Sequence, residues 1–243
     1  MKKVILLAGI LVAITAIFCF AQTEGVITYE MKVNMHRNIP KENEDMKAMI
    51  PEFRQSNFEL FFNANESLYK PVEEDDDEEF NDGHGAQIRM RMPQSEMYVK
   101  PSDEKMLELR EFLDKKYLVS DTLKAKGWKI GTETKTILGF ECKKATRTDE
   151  QRKQTIVAWF SDKLRPSLGP DRFCSLPGAV LEVDVNEGER TLTAKKIDAR
   201  SLKKNELKAP VSGIAMNGND FRKMVDEQMK KMGAQGGVII RRN

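Results

Sequence analysis

Apolar and polar positions alternate with a period of two along much of this chain. From Gly25 to Asn34, Ile27, Tyr29, Met31 and Val33 fall on one side, and Thr28, Glu30, Lys32 and Asn34 on the other. That is the pattern of a half-buried strand. Phe58, Leu60 and Phe62 repeat it, Asn63 to Ser67 is rich in turn-formers, and Leu68 to Lys70 resumes extended structure, so a hairpin is expected there. The clearest hairpin comes later. Ala179, Leu181, Val183 and Val185 alternate, Asn186–Glu189 turns the chain, and Thr191 to Ile197 returns. Shorter runs at Ile88–Met92, Met97–Lys100, Tyr117–Val119, Trp128–Ile130, Phe140–Thr146 and Thr155–Phe160 also read as extended. Leu107–Phe112 fits either a strand or a helix, because its apolar spacing does not settle the period. Many short strands at close spacing predict an antiparallel β domain.

The helical period surfaces once with a cap and a stop. Phe221, Met224, Val225, Gln228, Met229 and Met232 form one stripe after Asn219, and Gly233 ends it. A helix is therefore expected over about 220–232, packed on the sheet; a mobile lid or partner-binding helix is the alternative. Pro40–Pro51 reads as a short helix or an irregular connector.

The first 21 residues have a different pattern. Lys2 and Lys3 precede an uncharged apolar run from Val4 to Phe20, and Ala21 offers a small residue at a cut, as in a secretory leader. Acylation at Cys19 is the alternative, but Phe18 stands where a small residue would be needed. The 40 basic residues fall to 38 once Lys2 and Lys3 leave with the leader, matching the 38 acidic ones. A near-neutral chain has no global field to attract nucleic acid. Secretion also bears on Cys142 and Cys174, the two cysteines that remain. In an oxidising compartment an isolated pair favours a disulfide, with two buried thiols as the alternative.

Candidate chemistry is sparse. Glu73–Glu79 is an unbroken acidic run that continues into Asp82, Gly83, His84 and Gly85. The calcium-loop spacing is absent, since Ile88 stands where the bidentate Glu belongs, so a solvated loop over 73–85 is expected. His36 and His84 are the only histidines. No catalytic triad motif, clustered metal ligands or phosphate loop is present, and no catalytic residue, metal or cofactor is assigned. Glu182, opposite Leu181 in its strand, is expected in a solvent-face or cross-strand ion pair.

Ser175-Leu176-Pro177-Gly178-Ala179-Val180-Leu181-Glu182 resembles the core signature of the GLPGLI family of Bacteroidota envelope proteins. Tyr117–Leu123 with Trp128-Lys129-Ile130, Lys135–Ala145, and Val157–Phe160 followed by Pro166, Gly169 and Pro170 resemble further family segments in the same order. Ser175 and Ala179 depart from the family's usual residues. The family's activity is largely unassigned. It is similar to the bowl-like N-terminal domain of a bacterial glycan-releasing amidase and, more distantly, to the half-barrels of periplasmic lipoprotein carriers. The resemblance implies a curved antiparallel sheet or open half-barrel, to which the periodicity adds the C-terminal helix. The organisation expected is a leader (1–21), a β domain (22–200) and a C-terminal extension (201–243).

The function expected is a secreted, non-enzymatic periplasmic or surface-associated module that binds an apolar or extended ligand: a lipid, a polypeptide or a glycoconjugate. Ile27, Tyr29, Met31, Phe58, Leu60, Phe62, Trp128, Trp159 and Leu181 are the candidate ligand face, although each would serve equally as core. Leu176, Pro177 and Gly178 are expected to form a structural turn. The alternative function is an accessory subunit of an outer-membrane transport or secretion assembly, with an outer-membrane protein as partner. No transmembrane segment is expected after the leader.

Overall fold

The computed structural model describes residues 24–72, 79–81, 87–89, 95–123, 127–150, 153–164 and 167–234. The leader, most of the acidic run and His84 lie outside them. The strands are β1 (Gly25–Asn34), β2 (Phe53–Phe62), β3 (Ser67–Pro71), β4 (Glu79–Asn81), β5 (Gln87–Arg89), β6 (Ser95–Lys100), β7 (Lys105–Phe112), β8 (Lys115–Thr122), β9 (Lys129–Ile137), β10 (Phe140–Asp149), β11 (Gln154–Ser161), β12 (Ala179–Val185), β13 (Arg190–Asp198) and β14 (Ile214–Asn217). One helix, α1 (Gly218–Ala234), follows. Twelve strands form one open sheet in the order β14-β8-β7-β6-β3-β2-β1-β13-β12-β11-β10-β9, and β4 pairs with β5 separately. The fold is mainly β, as the alternation predicts.

Opposed residues of paired strands share a face, so the register separates the two sides of the sheet. Ile27 pairs with Leu60, Leu60 with Tyr69, Tyr69 with Met97, and Met97 with Glu108. Met31 continues through Leu192, Val183 and Ala158 to Ala145. All of these are buried, and all but Glu108 belong to one apolar cluster. They define the inner face.

The connection between β11 and β12 contributes Leu164, Leu168, Phe173, Cys174 and Leu176 to the same cluster. It therefore lies across the inner face as a plug. It also shows how far the sheet curls. Arg172 pairs with Glu108 of β7, while its neighbour Phe173 lies 5.9 Å from the Arg147 guanidinium of β10. Those strands are eight places apart in the sheet order, roughly 38 Å across a flat sheet. Adjacent residues can touch both only if the sheet closes round them.

Over β7 and β8 the inner face is covered by α1. Phe221 packs edge-on against Tyr117 at 5.4 Å and Phe112 at 6.4 Å, and Met216, Met224 and Val225 complete that cluster. Asn217, not Asn219, caps the helix, with its Oδ1 accepting from the Asp220 amide at 2.9 Å. The expected stripe holds at Phe221, Met224 and Val225; Met229 is exposed.

Residues 199–213 link β13 to β14, past six intervening strands. The seven spacings amount to about 34 Å, within reach of extended chain. Arg200 feels the charge of Glu59, which faces away from Leu60, so this strap runs over the outer face. Arg200 clamps the strap by a two-pronged bond to Glu206, at 2.7 and 2.8 Å. With the Lys203 amide, it holds the Glu206 carboxyl down at about 2.

One expectation is corrected. Cys142 and Cys174 form no disulfide; both are buried free thiols. The Cys142 thiol is turned to the Phe140 carbonyl at 3.5 Å, and Cys174 sits in the plug. Each fills core volume as a small apolar side chain. Burial pushes the Cys142 thiol up to about 11 and the Cys174 thiol up to about 12, so neither is poised to react. The sheet is antiparallel as expected, save that β14 runs parallel to β8. Of the two readings open for Leu107–Phe112, the structure has the strand, within β7.

Candidate functional site

The signature segment is built as a close-packed corner. The Gly178 amide donates to the Leu176 carbonyl at 2.8 Å, a three-residue turn suited to the fixed φ of Pro177. Gly178 has φ +152°, and a Cβ there would stand 2.1 Å from the Ser161 carbonyl oxygen. A Cβ on Gly169 would meet the Phe173 carbonyl oxygen at the same distance. Backbone thus presses on backbone at both ends of the plug. The Val180 amide donates to the Leu168 carbonyl at 2.8 Å and the Ala179 amide to Leu164 at 3.1 Å, joining plug to strand.

Three ionic contacts tie the plug's tip across the sheet. Arg172 bonds Glu108, which is 4 % exposed, and approaches Asp121 at 3.8 Å. Arg110 reaches the other Glu108 oxygen at 3.1 Å and lies over the Phe221 ring at 5.1 Å, so plug and helix meet at one carboxylate. Asp171 pairs with Arg190 of β13 at 3.1 Å. The neighbouring Tyr69 hydroxyl is buried without a partner among the described residues, and burial pushes its pKa well up. Tyr29 donates to the Val180 carbonyl at 2.6 Å.

The inner face ends in a row of register partners that carries charge. Arg147, Ile156, Val185, Arg190, Val33 and Arg54 follow one another across six strands. Phe173 lies between two of its arginines, 5.9 Å from Arg147 and 5.7 Å from Arg190. Trp128 stacks on Arg147 at 4.8 Å and donates its indole N–H to Ser175 Oγ at 2.9 Å.

Against this geometry the nine ligand-face candidates divide. Ile27, Tyr29, Met31, Phe58, Leu60, Phe62 and Leu181 are buried within the main cluster. Trp128 and Trp159 are half-buried. Trp159 pairs with Lys144 and Glu182, on the side away from Ala158, under the Lys135–Glu182 ion pair. Only Trp128 stands at the charged rim. The rim arginines, Phe173 and Glu108 carry no sequence signal of a site, and Asp171 reads only as a turn-former; the one available cue is Arg147, two places after Ala145 on an alternating strand. Among the described residues no group of acids, histidines or cysteines is placed to hold a metal.

Residues 78–220, more than half of the chain, match the family described as N-glycanase peptide, N-terminal domain. The chain belongs to this family. Two solved structures of PNGF-II share the fold of this N-glycanase-type domain. The form in space group P21 has a TM-score of 0.56 at 15% identity, over 84% of this chain and 34% of that one. The C2 form has a TM-score of 0.55 at 16% identity, over 84% and 33%. The chain thus spans about a third of the length of the structures it resembles. Among curated proteins no sequence matches it significantly. No helix of the described residues is long and apolar enough to cross a membrane.

Proposed function

We propose that this chain is a non-catalytic recognition module, exported to the cell envelope, that binds a glycoconjugate at the rim of its inner face. The observation that carries the reading is the match of residues 78–220 to the N-terminal domain of an N-glycanase. The packing supports it over a lipid carrier. An acyl chain needs an open apolar trough, whereas here Leu164, Leu168, Phe173 and Leu176 fill the inner face. The half-buried indole of Trp128 beside Arg147 offers what sugars use instead: an aromatic face and hydrogen-bond donors. The signature segment supports a narrower kinship with GLPGLI envelope proteins, and residues 1–21 support export.

Interferometry of the chain from Gln22 onward, against an immobilised glycoprotein and the same glycoprotein enzymatically stripped of its glycans, tests this. Binding to the first and at least about tenfold weaker binding to the second is expected. Equal binding to both, or binding to neither, contradicts it.

A second reading, an accessory subunit of a larger envelope assembly, draws on Val211, Ile214 and Met229. They are 81%, 49% and 56% exposed around β14 and α1. Apolar residues so exposed in one part of the chain suit a protein contact.

A further inference from the structure

Arg147 is an unusual cation for its position. It lies on the inner face, opposite buried Ile156, and is half-buried. Among the described residues its guanidinium meets the rings of Trp128 and Phe173 and forms no ion pair. The charged groups at the plug's tip are matched: Arg172 by Glu108 and Asp121, and Asp171 by Arg190 of β13. Burial lowers the pKa of Arg147, opposed by the nearby Asp149. A cation taken partly out of water gains only part of its lost hydration from aromatic faces, and a carboxylate is the partner a planar guanidinium fits best.

The surroundings fix what can approach. Trp128 is held by its bond to Ser175 and stacks on the guanidinium, so the ring and its donors are oriented before any ligand arrives. Arg190 stands on the far side of Phe173, its charge matched by Asp171. We propose that Arg147, with Trp128 beside it, binds the carboxylate of an acidic sugar, so that the rim selects anionic over neutral glycans. This rests on the glycoconjugate reading above and specifies its ligand class.

The test uses the chain from Gln22 with Trp159→Phe, so that indole fluorescence reports Trp128 alone. Sialyllactose, lactose and sodium sulfate are titrated in parallel. Sialyllactose is expected to bind about tenfold or more tightly than lactose, an advantage that weakens as salt rises. Arg147→Gln should erase the advantage, bringing sialyllactose down to the affinity of lactose in a variant that still melts cooperatively. Arg147→Lys should recover only part of it, because the ammonium keeps the charge and loses the fork. Equal affinities for sialyllactose and lactose, indifferent to Arg147→Gln, would overturn the acidic-sugar inference and leave the glycoconjugate reading standing. Sulfate binding that depends on Arg147, with no response to either sugar, would overturn both, as would silence with all three probes.

Discussion

Replacing Gly178 by Ala is expected to cost about 4 kcal/mol or more and to leave little folded protein at 37 °C. Two penalties combine. The added Cβ would stand 2.1 Å from the Ser161 carbonyl oxygen, and its neighbours Ser161 C and Asp162 Cα would be only 2.7 and 2.9 Å away. All three are backbone, so no side chain can swing aside. The φ of +152° is also one that residues with a Cβ seldom adopt. Relief requires the plug to move off β11, and moving it uncovers Leu168, Phe173 and Leu176. Thermal or urea unfolding of Gly178→Ala beside Gly188→Ala measures this. Gly188 also has positive φ, +89°, but nothing lies within 4 Å of its Cβ position. Its cost should be a fraction of that at Gly178. Equal effects would mean that backbone conformation alone, and not the closeness of plug and strand, accounts for the glycine.

The second large effect is expected at Arg172. Arg172→Met keeps the length of the side chain and removes the charge that Glu108 faces from within the fold. Glu108 retains Arg110, whose side chain is 39% exposed and whose pull is correspondingly screened. About 3 kcal/mol of stability should be lost, most of it the cost of a buried carboxylate left with half its partners. Glu108→Leu combined with Arg172→Met should be markedly more stable than Arg172→Met alone, because no charge is then stranded. A double mutant cycle on melting curves checks it. Strict additivity would show that the pair does not hold plug to sheet.

What could be read from the sequence followed burial. Strands with one wet and one dry face announce themselves, so β1, β2, β12 and β13 were legible. In β9, Lys-Ile-Gly-Thr-Glu-Thr-Lys-Thr-Ile is exposed along most of its length. A polar edge strand carries no alternation, and Lys on an edge guards against pairing with other chains. β14 is four residues long and pairs in parallel, which no local pattern encodes. The plug was legible as a turn but not as a core element, because Leu164, Leu168, Phe173 and Leu176 have no common period. The rim failed for a related reason. Arg147, Arg190 and Arg54 are far apart in the chain, and only strand register sets them in one row. An isolated pair of cysteines behind a leader-like segment suggests a bridge, whereas in this core Cys142 and Cys174 each serve as a small apolar side chain.

The signature segment closes the inner face as part of the core. Hydrogen exchange of the backbone amides across 167–180, in the free protein at neutral pH, tests it most directly. The amides of Phe173, Gly178, Ala179 and Val180 all donate within the fold. They are expected to exchange as slowly as those of β11 and β12, opening only with the whole sheet. Exchange within seconds, while β11 and β12 stay protected, would show a loop lying on the sheet rather than a plug within it, and would contradict the account.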